Sequence, residues 1–139
     1  MGAAMLGGVS GHAGLFSNSY EVAIIMQMLI NGGRYGGYKF LNKETIKLFT
    51  TRYSNSTRRG LGFDMKELDI SRSQNLAEEA PASTFGHTGF TGTCAYADPE
   101  NNIVYVFLSN RTYPKSAPNY LHKYRYRTKI QDIIYNSIL

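Results

Sequence analysis

The sequence predicts a mixed α/β (α+β) fold in which an antiparallel sheet of about three strands is flanked by helices. Three features predict this fold: an apolar helical segment near the start, strand-type segments from residue 84 to residue 108, and a helical segment after Pro118. The chain has 139 residues, of which 42% are hydrophobic and 18% charged, and such a length suits one domain.

The first helix is predicted from Asn18 to Ile30. Ser17 or Asn18 can cap its start, and Asn31-Gly32-Gly33 provides a stop. Between these signals nearly every residue is apolar or small. A helix that is apolar almost all round belongs in a core, so we expect other elements to cover it on several sides.

The middle of the chain is predicted to form short elements separated by loops. Asn42 can cap a short second helix, and alternating small and apolar residues indicate a strand in Gly-Leu-Gly-Phe-Asp-Met. In chain order we predict a Gly/Tyr-rich turn (34–40), a helix (43–49), a polar surface loop (50–59), a strand (60–65) and a loop (67–83).

Strand-type residues dominate from Thr84 onwards. We predict strands over 84–88, 93–97 and 103–108, joined by a Gly-Phe-Thr-Gly bend and by the strong turn at 98–102. The last strand is a continuous apolar run, which is typical of a strand buried on both faces. Short turns join these strands, so the sheet should be antiparallel.

A closing helix is predicted after Pro118, because the fixed φ of proline suits the first turn of a helix. One side of this helix is an apolar stripe that should face the core. The stripe consists of Tyr126, Ile130, Ile133, Ile134 and Ile138.

The net charge of +5 is confined to the C-terminal end of the chain. Residues 1–100 carry nine basic and nine acidic side chains, whereas residues 101–139 carry six basic side chains and one acidic side chain. Tyrosines alternate with basic residues from Tyr120 to Lys129, a composition that nucleic-acid surfaces can have. We interpret this segment instead as the solvated face of a helix, and we predict no nucleic-acid partner.

The composition also argues against covalent and metal cross-links. Cys94 is the single cysteine, so no intrachain disulfide can form, and three scattered histidines do not make a metal site. We predict no cofactor and no metal. The sequence has no run of about 18 apolar residues, so no membrane span is predicted.

The most informative segment chemically is His87-Thr88-Gly89-Phe90-Thr91. A histidine, a hydroxyl and a glycine in succession let a substrate carboxylate or carbonyl lie against a strand edge, because glycine has no Cβ to block it. The backbone N–H of Phe90 could then donate to an oxyanion. The alternative interpretation is a Gly/Thr-rich bend with an incidental histidine.

A second glycine-rich loop, Gly11-His12-Ala13-Gly14, precedes the first helix. His12 could line a binding pocket, or its imidazole could only hydrogen-bond backbone groups and shape the turn.

Taken in order, these segments resemble the C-terminal part of serine β-lactamases and penicillin-binding proteins, above all the class C-like and esterase-like branch. The resemblance rests on the glycine-rich loop 7–17, the helix ending in Met-Leu-Ile-Asn-Gly-Gly, the Gly-Leu-Gly-Phe strand and the segment Gly-His-Thr-Gly-Phe-Thr-Gly-Thr. It covers about residues 6–110, and the helix after Pro118 resembles the family's closing helix. It implies an incomplete β-lactamase/transpeptidase-like fold.

The resemblance implies roles for the residues that match the family's third motif. His87 and Thr88 would orient the substrate's carboxylate and support proton transfer, and Gly89 would leave the strand edge open. The backbone N–H of Phe90 would be one of two oxyanion donors. His12 and Thr91 would contribute to substrate binding. A histidine rather than a lysine in this motif would make the charge titratable near neutral pH.

The family's nucleophile motif, Ser-x-x-Lys, is absent from these 139 residues. The segment most similar to it, Thr112-Tyr113-Pro114-Lys115, contains a proline, which argues against the helix that this motif opens in the family. Tyr53-Ser54-Asn55 matches the family's Tyr-x-Asn base motif, but at the wrong place in the order, so we interpret it as coincidence. We therefore expect residues 1–139 to be the C-terminal portion of a β-lactamase-like domain whose N-terminal half carries the nucleophile.

These observations lead to one expected function and one alternative. We expect a segment of a bacterial serine hydrolase, inactive by itself, that acts on β-lactam, ester or peptidoglycan-type amide substrates in a periplasmic or extracytoplasmic location. The alternative is a non-catalytic descendant that binds cell-wall peptides or glycans. The expected partners are the N-terminal half of the same domain and a small acyl substrate. Uncovered apolar surface would favour a homodimer of the isolated chain.

Overall fold

A four-stranded antiparallel sheet lies between two helical layers in the computed structural model, which describes residues 2–11 and 13–138. The helices are α1 (Gly2–Met5), α2 (Ser19–Ile30), α3 (Lys43–Phe49), α4 (Tyr120–Lys123) and α5 (Tyr126–Ile138). The strands are β1 (Arg34–Tyr35), β2 (Tyr38–Lys39), β3 (Asp64–Met65), β4 (Phe85–Thr88), β5 (Cys94–Asp98) and β6 (Ile103–Phe107). The predicted fold class is confirmed.

The strands of the main sheet follow the order β3-β4-β5-β6, and each pairs antiparallel with its neighbour. The sheet therefore has one strand more than the three-stranded meander predicted, because the two residues of β3 add to its edge. Phe85 pairs with Ala97, and Gly86 pairs with Tyr96. Since side chains alternate between the faces of a sheet, this register assigns Phe85 and Ala97 to one face and Tyr96 to the other.

The first face of the sheet packs against α2. Its core consists of Met26 from α2 together with Met65, Phe85 and Ala97 from three neighbouring strands. The start of α2 is capped as predicted, because the side chain of Asn18 accepts a hydrogen bond from the backbone N–H of Glu21 at 3.0 Å. The helix ends at the predicted Asn-Gly-Gly stop.

The second face of the sheet packs against α5 and the irregular segment 66–83. Tyr96, Tyr105 and Tyr135 meet in this core, together with Leu76, Ala77 and Ala80 from the segment. The sequence correctly predicts that 67–83 lacks helices and strands, but the segment is structural all the same. The leucine and the two alanines of this segment belong to the same core cluster as the tyrosine rings.

Polar side chains of α5 fasten this helix to the sheet and to the irregular segment. The Tyr135 hydroxyl donates to the Asp98 carboxylate at 2.7 Å, and both residues are buried. Gln131 accepts a hydrogen bond from the backbone N–H of Ala77 at 3.1 Å. Burial, together with the hydrogen bond to Asp98, raises the pKa of Tyr135 well above its ordinary value, so the phenol remains neutral.

The predicted apolar stripe of the closing helix is wrong in detail. Thr128, Gln131 and Tyr135 are the buried residues of α5, whereas Ile133 and Ile138 are exposed. The predicted single helix is also divided in two, because Arg125 takes a left-handed φ of 55° between α4 and α5. All five residues of the predicted stripe lie within α5, so the break does not alter their spacing. The side of α5 that meets the core instead carries Gln131 and Tyr135, which form buried hydrogen bonds with Ala77 and Asp98.

Two predicted strands also differ from the structure. The strand predicted over 60–65 is confined to β3, because Gly62 takes a φ of +98° and the backbone turns there. Only Tyr105 is buried in β6, although its apolar run predicts burial on both faces. Among the described residues β6 is the outermost strand, so its second edge has no neighbour.

Residues 34–40, predicted as a turn, form a small hairpin of β1 and β2. Gly36 and Gly37 both have positive φ, as a two-residue hairpin turn requires. The predicted helix 43–49 is confirmed as α3. In the part of the chain that the structure describes, no helix has the length and apolar character needed to cross a membrane.

We predict that Tyr135→Phe lowers the free energy of unfolding by about 2 kcal/mol, because it removes a buried hydrogen bond to a charged acceptor. Urea denaturation followed by circular dichroism measures the change. Tyr113→Phe is the control, since the side chain of Tyr113 is 78% exposed. Equal midpoints for the two variants would contradict a structural role for the Tyr135–Asp98 contact.

Candidate active site at the open edge of β4

The end of β4 forms an open sheet edge at His87 and Thr88. Strand β3 pairs only with Phe85 and Gly86, whereas β5 pairs with all four residues of β4. Within residues 2–11 and 13–138, His87 and Thr88 therefore have a strand neighbour on one side only. An extended ligand could add its backbone to such an edge.

His87 and Thr88 project to opposite faces of the sheet. His87 pairs with Ala95 and lies on the α2 side, while Thr88 pairs with Cys94 and lies on the α5 side. The two predicted catalytic side chains are thus adjacent in sequence and meet different surroundings. Only a group at the strand edge itself can contact both of them.

A tight bend follows the strand and fixes the position of Phe90. The backbone N–H of Gly89 donates to Thr93 O at 2.8 Å, and that of Gly92 donates to Gly89 O at 3.0 Å. A Cβ on Gly89 would lie 2.3 Å from Thr93 Oγ1, so this close approach requires glycine. No atom of the described residues accepts a hydrogen bond from the Phe90 N–H, which leaves it available to an oxyanion.

The imidazole of His87 uses both of its nitrogens in hydrogen bonds. Its Nδ1 lies 2.7 Å from Thr88 O, and its Nε2 lies 2.6 Å from Arg59 Nη1. Sequence reasoning missed Arg59, since two adjacent arginines in a polar loop indicate only a charged surface.

Arg59 in turn contacts a buried carboxylate. Its Nε lies 3.0 Å from Asp64 Oδ1, while Arg58 Nη2 lies 3.3 Å from Asp64 Oδ2. Asp64 is only 2% exposed, so the two guanidinium groups compensate a charge that would be unstable in the interior alone. Arg59 also forms an isolated antiparallel β-bridge with Asp64 of β3.

A cavity of about 230 Å³ opens on the α5 side beneath Thr88. The charged side chains in its lining are mostly basic, and one buried carboxylate, that of Asp64, lies among them. The basic lining residues are Arg58, His122, Arg125 and Arg127. Arg127 is half-buried and donates to Gly92 O at 3.0 Å, so part of the C-terminal charge faces the site and not bulk solvent.

Two buried acidic groups border the same cavity, and both are neutral at physiological pH. Burial raises the pKa of the Cys94 thiol to about 11, and the nearby Arg127 only partly opposes this effect. Burial likewise raises the pKa of the Tyr96 phenol to about 12, although a contact with Asn75 lowers it. Cys94 is therefore a core side chain and not a nucleophile.

The other candidate residues predicted from the sequence lie in different segments of the chain. Thr91 is exposed in the bend, and its carbonyl accepts a hydrogen bond from the Arg111 N–H at 2.9 Å. His12 lies outside the described residues. The hydroxyl of Tyr53 donates to Leu48 O at 2.7 Å within an exposed loop. Among residues 2–11 and 13–138 no cluster of three or more histidine, cysteine or carboxylate side chains could hold a metal ion.

The edge of β4 thus combines a free backbone donor, a threonine hydroxyl above a cationic cavity, and a histidine bonded to an arginine. Backbone donors aimed at one point stabilise the oxyanion of acyl transfer, and cationic side chains bind a substrate carboxylate. A family model described as Beta-lactamase matches residues 1–127. The chain belongs to the beta-lactamase family.

Named relatives in this family agree with that assignment. The chain is 41% identical over 119 residues to an Escherichia coli K12 protein named "Putative D-alanyl-D-alanine carboxypeptidase", covering 82% of this chain and 27% of that protein. A Salmonella typhi protein of the same name is 40% identical over the same length. The chain therefore spans about a quarter of the length of the curated relatives it matches.

A solved structure shares the architecture. The crystal structure of a novel penicillin-binding protein homolog from Caulobacter crescentus superposes with a TM-score of 0.51 at 26% identity. The match covers 64% of this chain and 24% of that chain. This likeness supports a fold of the penicillin-binding-protein type for this member of the beta-lactamase family.

We predict that Cys94 reacts at least about tenfold more slowly with a disulfide reagent in the folded protein than in urea, because its raised pKa and burial suppress the thiolate. The release of chromophore at mildly alkaline pH measures both rates. The control is the exposed thiol introduced by Ala82→Cys in a Cys94→Ser background. Equal rates for the two thiols in the folded proteins would contradict the burial of Cys94.

Proposed function

We propose that this chain supplies the third motif and one oxyanion donor to the active site of a serine hydrolase of the beta-lactamase family. In this proposal Thr88 and the Phe90 N–H contact the substrate, and His87 orders the edge of β4. The observation that carries the proposal is the open edge of β4, where the free Phe90 N–H lies next to Thr88 and the cationic cavity.

The substrate we propose is a peptide-type amide that bears a carboxylate, of the D-alanyl-D-alanine class that the names of the relatives mention. A cavity with three arginines and a histidine beneath Thr88 suits an anionic group. Acylation also needs a nucleophile and a base, and the 139 residues contain no Ser-x-x-Lys. We propose that these groups come from an N-terminal half of the same domain, and that the protein acts outside the cytoplasm.

We predict that the 139-residue chain alone forms no covalent adduct with a fluorescent penicillin, because the nucleophile motif is absent. Joined to a segment that carries Ser-x-x-Lys and Tyr-x-Asn, the chain should be labelled. Thr88→Val should then slow labelling by about tenfold or more, since it removes a contact to the substrate. Gel fluorescence over time measures the rate.

Tyr53→Phe is the matched control, because the Tyr53 hydroxyl is exposed and donates to Leu48 O within its own loop region. Slower labelling of this variant would mean that Tyr53-Ser54-Asn55 serves as the base motif, against our interpretation. Labelling of the chain alone would contradict the proposal. Peptide binding without labelling of the joined protein would favour the alternative, a non-catalytic binder.

We also propose that the exposed apolar side of α5 and the free edge of β6 are covered by another part of the domain or, in its absence, by a second copy of the chain. Ile133 is 66% exposed and Ile138 61% exposed on α5, and among the described residues β6 has one edge without a neighbouring strand. Adjacent apolar side chains and open strand edges favour association.

We predict that the isolated chain associates with increasing concentration and that Ile133→Lys shifts it towards the monomer, because a charge at this site opposes burial. Sedimentation velocity measures the distribution of species. Ile70→Lys is the control, since Ile70 is 94% exposed in the irregular segment, away from α5 in sequence. A wild-type chain that stays monomeric across concentrations would contradict the proposed role of this surface.

A further inference from the structure

The hydrogen bonds around His87 determine where its proton lies. A guanidinium group can only donate hydrogen bonds, so His87 Nε2 must accept from Arg59 Nη1 across their 2.6 Å contact. A carbonyl oxygen can only accept, so His87 Nδ1 must carry the proton that it donates to Thr88 O across 2.7 Å. Together these two contacts require the neutral imidazole protonated at Nδ1.

We infer that Arg59 is a positioning residue that fixes this tautomer of His87 and brings a permanent positive charge to the His-Thr-Gly edge. This inference deepens the proposed function. Its statement about the substrate rests on the proposed function, whereas its statement about the tautomer does not. It also changes the expectation from the family motif, because the cation at this edge is the guanidinium of Arg59 and not an imidazolium. Nε2 of His87 has its lone pair engaged and cannot donate a proton to a substrate.

The buried Asp64 carboxylate explains why Arg59 occupies this position. The Nε of Arg59 contacts Asp64 Oδ1 at 3.0 Å, on one side of the guanidinium, while Nη1 contacts His87. Because Asp64 is buried, withdrawal of Arg59 would leave it with Arg58 as its one cationic partner in the described chain. The guanidinium is therefore anchored at the side of the open strand edge.

The remaining N–H groups of Arg59 can donate hydrogen bonds to a substrate carboxylate. One of its five N–H donors is engaged by His87, its Nε lies in ion-pair distance of Asp64 Oδ1, and the side chain is 50% exposed. A carboxylate at the free edge of β4 would lie close to this guanidinium, because the guanidinium contacts the imidazole of His87. The substrate class that fits is an acyl compound with a carboxylate close to the scissile bond.

Nitrogen-15 NMR of the histidine side chains tests the tautomer in the chain as it stands. At neutral pH the wild-type His87 should show a protonated Nδ1 and an unprotonated Nε2. In Arg59→Met we expect loss of this single tautomer, with protonated Nε2 appearing. Arg58→Met is the matched control, because Arg58 contacts Asp64 but not His87, and it should leave the His87 signals in place.

A protonated Nε2 in the wild-type chain would overturn the inference, whatever the stability of the variants. Equal changes in Arg58→Met and Arg59→Met would also overturn it, because they would assign the effect to Asp64 alone.

Kinetics of the joined domain test the substrate part. Arg59→Met should raise KM by about tenfold or more for a substrate that bears a carboxylate and by a clearly smaller factor for a neutral ester, and Arg59→Lys should restore most of the loss for the first substrate. An equal loss for both substrates would overturn the assignment of Arg59 to carboxylate binding. If the joined domain hydrolyses neither substrate, the proposed function fails, while the NMR result still decides the positioning role of Arg59.

Discussion

The arrangement of residues at the open edge of β4 depends on the compensation of one buried charge, the carboxylate of Asp64. Asp64 lies at the end of the sheet with almost no access to solvent, and its carboxylate requires cationic partners there. Arg58 and Arg59 meet this requirement from the neighbouring loop. Their engagement holds the loop against the sheet and brings Arg59 to His87. The orientation of the family motif thus depends on a residue outside that motif.

The opposite end of the sheet is organised by a second buried carboxylate, Asp98. It accepts hydrogen bonds from the backbone N–H groups of Glu100 and Asn101 in the β5–β6 turn, and another from the Tyr135 hydroxyl. One side chain therefore closes the turn and holds α5 in place. Because α5 contributes Arg127 to the cavity beneath Thr88, contacts distant from the motif also shape its surroundings.

Much of the fold and part of the site could be predicted from the sequence, because local signals were strong there. Asn18 caps α2 as predicted, and the Gly-rich bend after Thr88 lies between two strands of the predicted meander. The role of Arg59 could not be predicted, since it depends on a contact with His87, 28 residues further along the chain. The buried side of α5 was mispredicted because Gln131 and Tyr135 are buried through hydrogen bonds with Ala77 and Asp98, which lie far from them in the chain.

The sequence by itself determined the family, the antiparallel meander and the position of the His-Thr-Gly segment within it, because glycine bends, caps and alternating patterns act over a few residues. The tertiary structure decided which groups surround that segment. It places Thr88 and His87 on opposite faces of the sheet, and it supplies the edge with the guanidinium of Arg59. Such pairings follow from the register of strands and from the need to compensate buried charge, and both depend on residues far apart in the chain.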